Sequence, residues 1–149
     1  MSRKRRAEMK LRALSAQDAL AAYALYLELT RSGQVADNTQ FARVLAHPGT
    51  TVMGAFDRSE LAGMATLHIL PNMTYGGRPY GLIENVVTAA NFRRRGVGRL
   101  VLTRLIDMAW EADAYKVMLL TGKAREAHEF YRKVGFDDSD KYGMVVRRS

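Results

Sequence analysis

The chain of 149 residues contains no cysteine. Disulfides, thiolate metal sites and a cysteine nucleophile are therefore excluded, and the redox compartment is left open. Histidine is scarce as well. His47, His68 and His128 stand far apart, without H-E-x-x-H or other close ligand spacing, so no metal centre is expected. No apolar run approaches the ~18 residues that span a bilayer. The N-terminus is basic, but no apolar h-region or small-residue cleavage site follows it. A secretory signal is not expected, and a cytoplasmic location is. With 48% hydrophobic and 26% charged residues, the composition is that of a folded domain. The length is that of a single domain with one core.

Acidic residues are in deficit, 15 against 23 Lys and Arg, for a net charge of +8. Such a surplus raises the question of nucleic acid, but its distribution argues against that partner. Residues 1–12 carry six basic side chains against Glu8. Arg93, Arg94, Arg95 and Arg99 add four more, and everything else sums to −1. Residues 1–10 are expected to form a basic flexible tail, and residues 11–149 a single domain. The arginine stretch is the place to expect a compact anion.

The pattern along the chain predicts alternating element types. Lys10 to Leu14 reads as a short strand. Ser15-x-x-Asp18 is a variant capping box that opens a helix to about Leu29, with Leu20, Tyr23, Ala24 and Leu27 on its apolar face. Asn38 is the expected cap of a second helix, with Phe41, Val44 and Leu45 inward. His47-Pro48-Gly49 breaks the chain. Thr51 to Phe56 and Leu61 to Leu70 read as a β-hairpin, and Tyr80 to Thr88 as a further strand. A long helix from about Val97 to Ala112 should bury Val97, Leu100, Val101, Leu105, Met108 and Ala112. A strand over Lys116 to Leu120 follows. The next helix runs from about Arg125 to Val134 and ends at Gly135. A last strand is expected over Tyr142 to Val146. Only the strand–helix–strand unit from Tyr80 to Leu120 demands a parallel pair.

The strongest chemical signal is Arg93-Arg94-Arg95-Gly96-Val97-Gly98, between a strand and a helix. The first N–H groups of a helix are unpaired and its dipole favours an anion. Glycines permit close approach, and arginines offer bidentate donors for phosphate. The spacing is neither a P-loop nor the Rossmann fingerprint. A solvated basic helix start, with glycines kept for packing, explains the spacing equally well.

Two motifs in register resolve that choice. Arg93-x-x-Gly96-x-Gly98 resembles the [QR]-x-x-G-x-[GA] signature of the GNAT acyltransferase superfamily. Ala127-His128-Glu129-Phe130-Tyr131-Arg132-Lys133-Val134-Gly135-Phe136 is similar to the A-x-x-F-Y-x-x-x-G-F helix of the same family. The resemblance runs from about Thr51 to Phe136. Ile83-Glu84-Asn85-Val86-Val87 and Tyr115-Lys116-Val117-Met118-Leu119 look nearest to the glucosamine-6-phosphate N-acetyltransferase branch. The implied fold is mixed α/β: a twisted, mainly antiparallel sheet with one splayed parallel pair and helices on both faces. The implied reaction moves an acetyl group from acetyl-CoA to a primary amine in a ternary complex, with no metal, and a homodimer is expected by analogy.

By position, the resemblance places the backbone of Val86, Val87 and Thr88 along the pantetheine and acyl carbonyl. It places Arg93, Arg94, Arg95, Gly96, Val97, Gly98 and Arg99 at the pyrophosphate. A fixed N–H near Val86 would face the developing oxyanion. Tyr131 would protonate the departing thiolate; its alternative is a core aromatic. Glu84, in an apolar strand, is the candidate base if partial burial raises its pKa; its alternatives are a paired structural acid and a substrate ligand. Two positions depart from the family pattern. Ala124 stands where many members carry a CoA-contacting Asn, leaving backbone or Arg125 to replace it. Thr121-Gly122 replaces an acidic residue of the aminosugar branch. A CoA-binding regulatory module without turnover is the rival reading.

Overall fold

The computed structural model describes residues 8–149, apart from the side chain of Arg125. Residues 1–7, most of the expected tail, lie outside the described residues. Lys10 already belongs to the sheet.

Among the described residues, five strands form one sheet in sequence order: β1 (Lys10–Ala13), β2 (Thr50–Asp57), β3 (Glu60–Leu70), β4 (Tyr80–Thr88) and β5 (Val117–Met118). All neighbours are antiparallel except β4 and β5. Helices α1 (Ala19–Leu29) and α2 (Asn38–Ala46) precede the hairpin. Helix α3 (Val97–Glu111) makes the crossover from β4 to β5, and α4 (Arg125–Val134) follows β5. This is the expected mixed α/β sheet with its single parallel pair.

Helices cover the sheet on both sides, which is why the central strands are continuously apolar rather than alternating. Gly63 and Gly81 meet Val97 and Ala109 of α3 on one face. Thr66 and His68 look the other way, toward α1 and α2. From Leu61 to Leu67, β3 is buried without a break.

Several expectations need correction. Helix α1 buries Ala22 and Leu25, whereas Leu20, Tyr23, Ala24 and Leu27 are exposed. Its sequence is apolar on nearly every side, so the 3.6-residue period cannot select the buried stripe. Helix α3 turns Leu102 and Ala109 inward in place of Leu100 and Ala112, by the rotation that lays it across four strands. Asp37 caps α2, its carboxylate accepting from Gln40 N–H at 3.1 Å, and Asn38 is the first helical residue. Strand β5 keeps only two residues of the expected five. Tyr142 to Val146 makes no strand, because no strand edge pairs with it, and Tyr142 and Val146 are 98% and 97% exposed.

The junction of β1 and α1 is held by charge. Asp18 accepts from the Ser15 N–H at 2.8 Å and takes two hydrogen bonds from Arg12, at 2.8 and 2.9 Å. Above all the Arg12 hydrogen bonds hold its carboxyl at about 2, below the usual 3.8. A depressed folded-state pKa contributes stability above the unfolded value, and that contribution fades as the pH falls through the folded value. Asp18→Asn is therefore expected to cost roughly 1–2 kcal/mol at neutral pH. In urea melts the gap from wild type should narrow steadily between pH 3.8 and about 2; a constant gap contradicts the assignment.

Candidate active site

The site begins where the sheet comes apart. Strands β4 and β5 pair only at Gly81↔Val117 and Leu82↔Met118. The Gly81 N–H donates to the Lys116 carbonyl at 2.9 Å, just before the pairing ends. Strand β4 continues six residues further, to Thr88, with no strand among the described residues on its outer edge. Backbone donors and acceptors there are open to an extended ligand, in the manner of strand addition.

A bulge marks the same stretch. Thr66 faces Glu84 and Met64 faces Val87, so β4 has one more residue than β3 between these pairs. Asn85 takes φ +53, a left-handed conformation that Asn tolerates better than most residues. The bulge turns the strand and re-aims its backbone groups.

Beyond Thr88 the chain makes a 3-10 turn at Ala90–Phe92 and enters α3. Arg93, Arg94, Arg95 and Arg99 are all exposed. Arg93 Nε donates to the Thr88 carbonyl at 3.5 Å, and the Arg95 guanidinium lies 5.2 Å from the Phe92 ring centre. Arg94 and Gly96 have φ of +61 and +78, which turns this loop tightly into the helix. The Gly96 carbonyl accepts the Leu100 N–H at 3.1 Å, so the preceding N–H groups open the helix without intrahelical partners. Val97 itself is buried in the core, so only its backbone can meet a ligand.

Gly98 has a further reason to be glycine. A Cβ there would lie 3.0 Å from the Phe130 ring and 3.5 Å from Thr88 Oγ1. The start of α3 is thus fitted against α4. Tyr131, next to Phe130, is half-buried, with ring centres 5.1 Å from Phe130 and 6.0 Å from Phe136. Burial pushes its phenol pKa up, so the hydroxyl keeps its proton at neutral pH. Both expected roles, core aromatic and proton donor, are compatible with this setting.

Glu84 is exposed, not partly buried as its apolar neighbours imply. On the α1/α2 side of the sheet a cavity of about 430 Å³ opens between α1, the loop before α2, and β3. Tyr23, Tyr26, Asp37, His68 and Asn85 are among its walls, and Glu84 is not. Tyr26 is fixed by a side-chain hydrogen bond with Thr66, and burial raises its pKa. Asn85 carries the bulge, so the cavity reaches the strand that splays. Sequence spacing also missed a pair of histidines. His47 and His68 lie 21 positions apart, yet strand pairing brings their ring centres to 6.5 Å. Among the described residues no group of three His, Asp or Glu side chains could hold a metal ion.

The model of the acetyltransferase (GNAT) family matches residues 13–136, and the chain belongs to that family. The family uses acetyl-CoA as its co-substrate. A solved structure from Agrobacterium tumefaciens str. C58, assigned to the acetyltransferases, is 40% identical. The match covers 93% of this chain and 99% of that one, with a TM-score of 0.88. The glucosamine 6-phosphate N-acetyltransferase of Trypanosoma brucei brucei is 36% identical over 76 residues, 51% of this chain and half of its own length. The uncharacterized N-acetyltransferase YedL of Escherichia coli (strain K12) is 27% identical over 130 residues, 85% of this chain and 78% of its own.

The packing of Gly98 generates a prediction. Gly98→Val should lose about 1–3 kcal/mol of stability by overpacking against Phe130. Adding Phe130→Leu should recover much of it in thermal melts. Equal melting points for the wild type and the single variant contradict this contact.

Proposed function

We propose that the protein moves an acetyl group from acetyl-CoA to a primary amine by direct attack in a ternary complex. The observation that carries this is the early end of the β4–β5 pairing. It leaves an open strand edge leading from the Asn85 bulge to the unpaired N–H groups of α3. An extended chain bearing a pyrophosphate fits that sequence of donors.

In this reading the N–H groups of residues 94–99 hold the pyrophosphate, and the exposed arginines screen its charge. The backbone of Val86, Val87 and Thr88 holds the pantetheine arm. Acetyl-CoA supplies the activated acyl carbon. An N–H near Val86 stabilises charge on the carbonyl oxygen as the amine attacks. The Tyr131 hydroxyl, protonated at neutral pH, gives a proton to the leaving sulfur.

The acceptor enters from the cavity. Its described walls include one carboxylate, Asp37, and no Lys or Arg. That lining suits a small cationic amine. It offers no guanidinium or ammonium to a phosphate, so an unphosphorylated amine is favoured over a sugar phosphate. A homodimer is part of the same reading, supported by the large apolar side chains left in water at Leu20, Leu27, Tyr142 and Met144. Sedimentation equilibrium should give a mass of two chains, and a monomer at micromolar concentration contradicts the dimer.

Turnover is tested with acetyl-CoA and a panel of glucosamine, glucosamine 6-phosphate, spermidine and an alanine-terminated peptide, reading released thiol. Tyr131→Phe keeps the packing volume and removes one oxygen. A general acid should lose roughly 10²–10⁴ in turnover, with acetyl-CoA affinity held within a few-fold. A core tyrosine should lose about 1 kcal/mol of stability and little turnover. Stabilisation by CoA without acetylation of any amine would favour a CoA-binding regulatory module instead.

A further inference from the structure

A hydrogen-bonded chain ends at His68 in the cavity wall. His47-Pro48-Gly49-Thr50 forms a turn closed by the Thr50 N–H to the His47 carbonyl at 3.1 Å. Gly49, third in the turn, has φ +78, and a Cβ there would lie 2.7 Å from the Ile69 carbonyl oxygen. Pro then Gly in the two central positions is the composition of a type II turn. The turn folds His47 back over Thr50. Thr50 in turn stands directly across the β2–β3 ladder from His68. The outcome is a bridge: Thr50 Oγ1 lies 2.9 Å from His47 Nδ1 and 2.8 Å from His68 Nδ1.

A threonine hydroxyl has one proton to donate. Its oxygen can accept from both Nδ1 atoms, but its proton can go to only one of them, so the two Nδ1 atoms cannot both accept. A proton can pass between the rings in two arrangements, in each of which one Nδ1 donates and the other accepts. In the first, His68 Nδ1–H donates to Thr50, whose O–H donates to His47, and His68 Nε2 carries a free lone pair. In the second every bond is reversed, with a proton on His68 Nε2. Passing one proton along the chain converts the first into the second. His68 Nε2 has no hydrogen-bond partner among the described residues, and His68 lines the cavity. His47, at the other end, is exposed, and neither it nor Thr50 is among the cavity walls.

We propose that His68 is the base that deprotonates the acceptor's ammonium, and that Thr50 and His47 relay the proton to solvent. The proposal rests on the acetyl-transfer reading. The ammonium gives one proton to His68 Nε2, and its nitrogen forms the bond to the acyl carbon as the C–S bond breaks. The second nitrogen proton replaces the one that Tyr131 gives to sulfur. The relayed proton leaves from His47, and both rings return to the first arrangement by exchange with water. Other titratable groups around His68 are Tyr23 and Tyr26 on α1, Asp37 before α2, His47 behind Thr50, and Glu84 on β4.

The test uses the full chain and the panel amine with the highest turnover. His68→Gln should lower kcat by roughly 10²–10⁴ and remove the acidic limb of the pH profile, while acetyl-CoA still raises the melting point. Thr50→Val should lower kcat about tenfold or more, and Thr50→Ser, which keeps the hydroxyl, should restore it. In NMR titrations of the ring protons, His47→Gln should alter the titration of His68. The proposal is overturned if His68→Gln keeps the wild-type rate and pH profile. It is equally overturned if Glu84→Gln removes the acidic limb, or if His68 titrates identically with and without His47. A wild-type protein that binds acetyl-CoA and acetylates no panel amine overturns the transfer reading itself, and this assignment with it.

Discussion

Two strands that stop pairing after two residues determine what this domain can bind. A parallel pair joined by a crossover helix normally zips along its length, because each further residue satisfies backbone groups at little added entropy. Here β5 leaves the sheet at Met118 while β4 runs on to Thr88. The unpaired edge is tolerated because it is short and bulged, and because it ends at a helix start whose N–H groups are also unpaired. Two sets of open donors thereby lie along one path, and the proposed reading assigns both to one ligand.

The bulge at Asn85 connects this cleft to the cavity on the other face. An extra residue in β4 turns the strand while β3 from Met64 to Thr66 stays in register with β2. In the proposed reading, donor and acceptor substrates thus reach one strand from different directions. The two halves differ in charge. The arginine loop is cationic and suits a pyrophosphate. The described cavity walls carry Asp37 and no Lys or Arg, which suits an amine. This division fits a two-substrate transfer better than storage of a single ligand.

Much of this was legible in the residues. The loop Arg93 to Gly98 and the helix Ala127 to Phe136 identify the family because their glycines and aromatics have geometric duties. Gly96 supplies φ +78, Gly98 admits Phe130, and Gly135 ends α4 with φ +121. The buried face of α1 was not legible, since a helix apolar all round carries no phase. Neither was the shortness of β5, because apolar residues from Lys116 to Leu120 look alike whether or not a partner strand reaches them. Glu84 misled for a related reason: its neighbours Ile83 and Val87 are buried, but Glu84 alternates with Ile83 and falls on the other side of the strand. The His47–Thr50–His68 bridge depends on strand register, which spacing along the chain does not encode.

In the proposed reading acetyl-CoA lies in the opening between β4 and β5 with its pyrophosphate on the first turn of α3. Amide hydrogen exchange with and without saturating CoA is the decisive experiment. Exchange should slow in residues 83–88 and 94–99 together and stay unchanged in the β1–β2 pair. Saturation by CoA with no slowing in either segment, or with slowing confined to another part of the chain, would contradict the account.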